Sequence, residues 1–409
     1  MRSFTALVAL AAVFANPGRL AAAQGEIKPF PKVDPYTKND PEKVKKAGYV
    51  SFGPFRFGDD HTTAQVETTL GGIPLIWVES AHFKLGSGLP EYTLADDPRE
   101  KDRVRAELER LSERLPDVKV KTRKLDPWLR LHLFALRLED LYAQFLHEFG
   151  IQESEFPNVP LDSKRPGGKD YMGTGRFLGM PAKFTVLLFD KKSALGRYSN
   201  VYLGQALETQ SCRHFPAVGS LLYLTAAELL EGEYVNDTAL TCDVVSGVSQ
   251  NLALGFRGFH VSLPFALGES IAHWFSRQVD PRYHFFSGLD RAKIRFKDQW
   301  NWAPSVRARV EHGMVPPLAE VLGWTIGDAL EWADHLILWS QMDFLLARED
   351  DAAGMLLRRI KEPATSSAPL TAEELAERAR QAYPQAIGTD LAGFDAAWGD
   401  WVLKTYPKK

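Results

Sequence analysis

The sequence predicts an α+β protein, with a small N-terminal sheet packed on helices and a mainly helical half after it. Three observations carry this expectation. A β-branched and aromatic run follows Gly72, a long amphipathic helix is bounded by Asp126 and Gly150, and from about residue 215 apolar residues recur mostly at helical spacing. The chain has 409 residues, 45% hydrophobic and 25% charged, an ordinary globular composition that at this length implies two or three subdomains. A net charge of −3 provides no electrostatic footprint for nucleic acid, which is excluded as a partner.

Residues 1–23 read as a secretory signal. Arg2 is the positive start, Phe4 to Ala15 is a short apolar run, and Ala21-Ala22-Ala23 offers a cleavage site before Gln24. A buried N-terminal helix is the other reading, but Pro17-Gly18 would break it. Twelve apolar residues are too few to span a bilayer comfortably, and no later segment is long and apolar enough to do so. The expectation is an exported protein, periplasmic or extracellular, with no membrane span once the signal is removed. Removal takes away Arg2 and Arg19 and no acids, so the charge becomes −5.

Residues 24–71, rich in Pro, Lys, Gly and Asp, read as an extended N-terminal arm. An α/β subdomain is expected over 72–200. It begins with a strand or strand pair near 73–85, where Pro74 suits a strand start. A charged helix follows from about Pro98 to Leu115. The clearest helix runs from Asp126 to Phe149, with Asp126 as N-cap, Pro127 at the first helical position and Gly150 at the left-handed terminating position. Trp128, Leu131, Ala135, Leu138, Tyr142, Phe145 and Phe149 make its apolar stripe, read as core. Arg165-Pro-Gly-Gly and Gly173-Thr-Gly175 mark a loop, and Lys183–Asp190 contains a buried-type strand. A helical subdomain is expected over 201–310 and a C-terminal helical one over 311–409. In the latter, Leu318–Ala347 is broken around Gly323–Gly327, and Thr371 with Glu374 makes a capping box.

The two cysteines, Cys212 and Cys242, leave two readings open. In an oxidising compartment they form one disulfide; otherwise they are separate buried thiols. Two cysteines alone cannot build a thiolate zinc site.

The chemistry-bearing stretches are Cys242-Asp-Val-Val-Ser-Gly-Val-Ser-Gln-Asn-Leu-Ala-Leu-Gly255 and Pro264-Phe-Ala-Leu-Gly-Glu-Ser-Ile-Ala-His-Trp-Phe275. The second resembles the glutamate helix of gluzincin metallopeptidases, the peptidase MA-like superfamily, whose Glu-x-x-Ala signature supplies the third zinc ligand. Glu269 and Ala272 satisfy it. In that family a His-Glu-x-x-His helix lies upstream, and counting back places Val245, Ser246 and Ser249 at its first His, Glu and second His. Nineteen residues lie between Ser249 and Glu269, within the range such peptidases use. Trp339–Leu346 resembles the family's long helix behind the active site, Phe394–Leu403 its closing helix, and Ser80-Ala-His-Phe83 the edge of its N-terminal sheet. The resemblance covers roughly 72–405 and implies a thermolysin-like arrangement.

It does not imply the usual chemistry. Gluzincin hydrolysis needs two imidazoles four residues apart on one helical face and a glutamate as base for the metal-bound water. Val245 has no lone pair, neutral Ser249 is a poor zinc ligand, and Ser246 is no carboxylate base. The remnant site is therefore Val245, Ser246, Ser249 and Glu269, expected to face one another across a cleft with no catalytic residue and no cofactor. The implied function is a catalytically degenerate protein that binds a peptide, protein or cell-envelope component.

The alternative is an active Zn²⁺-dependent hydrolase with displaced ligands, in which Glu269 and His273, four residues apart, act with His260 and His214. Glu269 also reads simply as an acid near a helix N-terminus, where the macrodipole favours it. Arg257 and Arg282 could bind a carboxylate or be solvated surface groups.

Overall fold

The computed structural model describes residues 30–158, 171–230, 235–286, 300–328, 330–363 and 370–408. The expected signal segment 1–23 and the Arg165-Pro-Gly-Gly turn lie outside them. The first part contains α1 (Pro41–Lys46), α2 (Thr63–Leu70), β1 (Ile76–Glu79), β2 (Phe83–Ser87), β3 (Tyr92–Thr93), α3 (Pro98–Arg114), β4 (Lys124–Leu125) and α4 (Pro127–Glu148). There follow β5 (Phe184–Phe189), α5 (Lys192–Leu203), β6 (Ser211–Phe215), β7 (Ser220–Ala226), α6 (Asp237–Gly255) and α7 (Phe265–Val279). The C-terminal part is helical: α8 (Trp302–Glu311), α9 (Leu318–Val321), α10 (Trp332–Leu346), α11 (Ala352–Ile360), α12 (Ala372–Ile387) and α13 (Leu391–Thr405). No described helix is long and apolar enough to cross a membrane.

The fold is a mixed α/β arrangement around one five-stranded sheet of order β1-β2-β5-β7-β6. β2, β5 and β7 run parallel; β1 and β6 are antiparallel to their neighbours at the two edges. β5 and β7 are buried along their whole length, as parallel strands covered on both faces must be. Alternation sorts their side chains. Val186, Leu188, Leu221 and Tyr223 join the large core with α4 and α6, while Leu187, Phe189, Leu222 and Leu224 join a second core with α2 and α5. The sheet is thus the middle of three layers.

Two expectations are corrected here. Residues 201–310 are not wholly helical, since the β6–β7 hairpin within them completes the sheet. Ser220-Leu-Leu-Tyr-Leu-Thr-Ala226 is a short continuous apolar run, and such runs look alike whether they are buried strand or buried helix. The segment expected as an extended arm is also structured from residue 30 onward. It carries α1 and α2 and contributes Val44, Tyr49, Phe57, Val66 and Leu70 to the cores. A buried polar anchor holds it. His132 of α4 meets the Tyr49 hydroxyl at 2.9 Å and the Asp34 carboxylate at 3.2 Å, and Thr37 donates to Asp34 at 2.6 Å.

Capping follows the local chemistry. Asp126 accepts from the Trp128 and Leu129 amides at the start of α4, and Gly150 just after α4 has φ 55°. Thr371 and Glu374 form the reciprocal box that starts α12. The carboxyl end of α6 is closed differently, by the buried Lys361. Its ammonium donates to the carbonyls of Leu254 at 2.7 Å, Gly258 at 3.2 Å and Val261. Leu254 is one of the last carbonyls of α6, which have no partner within the helix, and burial with Arg378 nearby pushes the Lys361 pKa well below its ordinary value.

Candidate functional site

α6 and α7 pack against each other, and α10 packs on the far side of α7. α6 begins where the Asn236 side chain accepts from the Ala239 amide at 2.8 Å. Its next residue, Asp237, is fully buried among three arginines: Arg137 at 2.8 Å, Arg103 at 3.5 Å and Arg130 at 3.7 Å. Burial alone would raise the Asp237 carboxyl pKa, but the charges of Arg137, Arg130 and Arg103 outweigh it and hold the value below the usual range. One helical turn on, Thr241 accepts from Arg137 at 3.0 Å. The amino-terminal half of α6 is thereby fixed to α3 and α4.

Further along, α6 lies against β7 with no room for a side chain at Gly247. A Cβ there would sit 1.9 Å from the Tyr223 ring, whose hydroxyl donates to the Asp243 carbonyl of the same helix at 3.1 Å. The small residues of Ser246-Gly-Val-Ser249 therefore serve helix-on-sheet packing. Val245 belongs to the apolar core, and the Ser249 hydroxyl donates to the Ser246 carbonyl at 2.9 Å, so it is held within its own helix. Ser246 is buried too.

The α6 side chain that hydrogen-bonds Glu269 among the described residues is the one after Ser249. It is Gln250, whose carboxamide donates to Glu269 Oε1 at 2.7 Å. Glu269 is only 2% exposed and stands within the first two turns of α7, after Pro264. Its other oxygen, Oε2, faces two imidazoles: His273 Nε2 at 3.7 Å and His335 Nδ1 at 3.8 Å. Those two ring nitrogens are 2.9 Å apart, with the rings perpendicular. Among the described residues, Glu269, His273 and His335 form a buried carboxylate–imidazole–imidazole group able to hold a cation.

His273 falls on the face of Glu269 because four residues make about one turn of α helix. His335 arrives from α10, 62 residues along the chain. Aromatic rings enclose the pair: Phe286 lies 4.3 Å from His335 and 5.5 Å from His273, and Trp302 of α8 lies 5.4 Å from His273. Burial pushes the His335 pKa down to about 3, and burial together with His335, Arg277 and His284 takes His273 well below its ordinary value. Both rings are neutral at physiological pH, so each has one nitrogen with an available lone pair. The next turn of the stripe is Arg277, stacked 3.8 Å over the Trp302 ring and 4.9 Å from Trp339; burial lowers its pKa to about 9.

The other sequence candidates lie elsewhere. His214, exposed on edge strand β6, lies 5.1 Å from the Phe259 ring, and His260 is exposed beyond the end of α6 beside Tyr171; neither belongs to the Glu269 group. Arg282 pairs with Asp280 at 2.5 Å and Asp97 at 2.7 Å, and Arg257 donates to the Arg358 carbonyl at 3.1 Å. Cys212 and Cys242 are not joined. The Cys212 thiol points to the Gly247 carbonyl at 3.6 Å and the Cys242 thiol to the Asp280 carbonyl at 3.8 Å, because the two sit on different elements and face different neighbours.

Sequence reasoning missed His335 and Gln250. Gln250 directly follows Ser249, the position that corresponds to the second zinc imidazole. His335 stands alone on an apolar helix, with no spacing to a second ligand that would distinguish it from a core histidine. Comparison with protein-family models, with curated proteins and with solved structures finds no match. The geometry itself must therefore carry the functional argument.

Proposed function

We propose that this chain is an exported, catalytically degenerate gluzincin-like protein that binds a peptide, protein or cell-envelope component. The reading retains the thermolysin-like relation of an upstream helix to a glutamate helix, with α6 and α7 in those roles. The observation that carries it is the content of α6 opposite Glu269. Val245 is core, Ser249 is bonded within its helix, and a neutral carboxamide from Gln250 occupies one carboxylate oxygen. Peptide hydrolysis of the gluzincin kind needs imidazoles and a carboxylate base from that helix, and none of these residues can act as either.

The test is proteolysis of an unfolded protein substrate by the purified protein, with and without a chelator. No chelator-sensitive cleavage is expected, and robust chelator-sensitive cleavage overturns the reading. The combined substitution Val245→His, Ser246→Glu and Ser249→His should introduce chelator-sensitive cleavage, which the parent lacks, if α6 retains gluzincin geometry. Export is checked separately, by N-terminal sequencing of secreted material, which should begin near Gln24.

One observation favours a second reading, an active metal-dependent hydrolase with displaced ligands. Glu269 and His273 do stand together, joined by His335 in place of His214 and His260. This reading requires chelator-sensitive turnover that survives replacement of His214 and His260 and is lost with His335.

A further inference from the structure

We propose that Glu269 Oε2, His273 Nε2 and His335 Nδ1 form a three-ligand site for a divalent transition metal, of which Zn²⁺ is the representative, tying α7 to α10. The argument begins with the triangle these atoms make. Its sides are 2.9, 3.7 and 3.8 Å, and the circle through three points so separated has a radius of about 2.0 Å. An ion near the centre of that circle is at the usual Zn–N and Zn–O bond length from all three atoms at once. The distances fit as they stand, and small shifts of the side chains would bring the angles towards tetrahedral.

Hydrogen bonding explains the arrangement less completely. Among the three groups themselves, only the imidazole–imidazole separation lies within the range of a hydrogen bond; both carboxylate–imidazole separations are too long for one. They are within the span of two ligands on one metal, a little wider than the roughly 3.3 Å of a regular tetrahedral site. Among the described residues, His273 Nδ1 is also buried with no hydrogen-bond partner, so no described contact at that nitrogen sets the tautomer of a ring that is 1% exposed. A metal on Nε2 would set it, placing the ring proton on Nδ1.

The donor types select the class of ion. Two imidazoles and one carboxylate suit Zn²⁺ and its transition-metal neighbours, whereas Mg²⁺ and Ca²⁺ prefer oxygen ligands throughout. The site would also explain why α10, which bears no part of the Glu-x-x-Ala pattern, packs so closely on α7. A carboxylate and two imidazoles from two helices would converge on one cation, in a place where each polar group is costly to bury alone.

The experiment uses the purified full chain, stripped with EDTA and titrated with Co²⁺ and then Zn²⁺. One Co²⁺ per chain with ligand-field absorption is expected, displaced by one equivalent of Zn²⁺, together with a rise in melting temperature. Glu269→Gln, His273→Gln and His335→Gln should each weaken the metal by about 100-fold or more, since even outer partners of metal ligands are worth up to that factor. His214→Gln and His260→Gln should bind as the parent does. Absence of ligand-field absorption at saturating Co²⁺ overturns the proposal, as does unchanged binding by His335→Gln. If the ligand variants fail to fold, the cobalt spectrum of the unaltered chain still decides.

The outcome is separable from the proteolysis assay. Stoichiometric metal without proteolysis supports both the metal site and the degenerate reading. Metal with chelator-sensitive proteolysis keeps the site and removes the degenerate reading. Neither metal nor proteolysis removes the site and leaves the degenerate reading in place.

Discussion

Gln250 of α6 donates its carboxamide hydrogen to Glu269 of α7 at 2.7 Å, a polar link between two buried helices. Both ends are uncommon choices for such a position. A buried carboxylate is retained only where it is paired, bonded or ligating. The pair therefore marks where helix packing gives way to polar chemistry.

Gln250→Leu removes the donor and leaves Glu269 Oε1 without it. A hydrogen bond to a charged acceptor contributes about 1.5–3 kcal/mol, and a loss of that size is expected in urea unfolding. A change below about 0.5 kcal/mol, the level of an ordinary surface substitution, would mean that the two side chains are not coupled.

Gly247→Ala sets two effects against each other. Alanine is the better helix former by about 1 kcal/mol, but overpacking a filled interface costs about 1–3 kcal/mol. With the new Cβ only 1.9 Å from the Tyr223 ring, the steric effect should win and the variant should be less stable. Combined with Tyr223→Leu, the same substitution should become neutral or stabilising. A double-mutant cycle that shows no coupling would contradict the packing described for α6 and β7.

Asp237→Asn leaves Arg137, Arg130 and Arg103 facing a neutral amide in a buried site, and breaking such a cluster typically costs about 3–5 kcal/mol. The same residue gives the protein an acid limb. Its folded pKa lies below its unfolded value of about 3.9, so its contribution is fully present above that pH and is lost as the pH falls through the folded value. The parent should therefore lose stability more steeply than Asp237→Asn below about pH 4. Parallel slopes in that window would show that Asp237 is not the group responsible.

Thiol chemistry distinguishes the two cysteines. Burial pushes the Cys242 thiol up to about 12, so almost none of it is thiolate at neutral pH, whereas Cys212 is partly accessible. Native alkylation followed by intact mass measurement should add one group, on Cys212. Alkylation after unfolding without reductant should add two. No addition under the second condition would show that the thiols are oxidised to each other.

Much of the architecture is legible in the sequence because it is decided locally. Asp126-Pro127 starts α4, Gly150 closes it, and Thr371 with Glu374 starts α12; each signal acts over one helical turn. The strand at 184–189 and the charged helix from Pro98 follow from periodicity. The break between α9 and α10 falls where Gly323 and Gly327 stand.

What only the tertiary structure decided depends on partners far apart in sequence. Asp34 and Tyr49 look like arm residues until His132, more than eighty positions away, gives them a buried partner. Ser220–Ala226 becomes a strand because β5 and β6 lie ready to pair with it on either side. That Val245, Ser246 and Ser249 offer neither an imidazole nor a carboxylate is legible in the sequence, since it is a property of side-chain chemistry alone. That Gln250 would meet Glu269, and that His335 would join His273, depended on the rotation of α6 and the placement of α10. Those are set by the packing of the whole core, and no spacing along the chain encodes them.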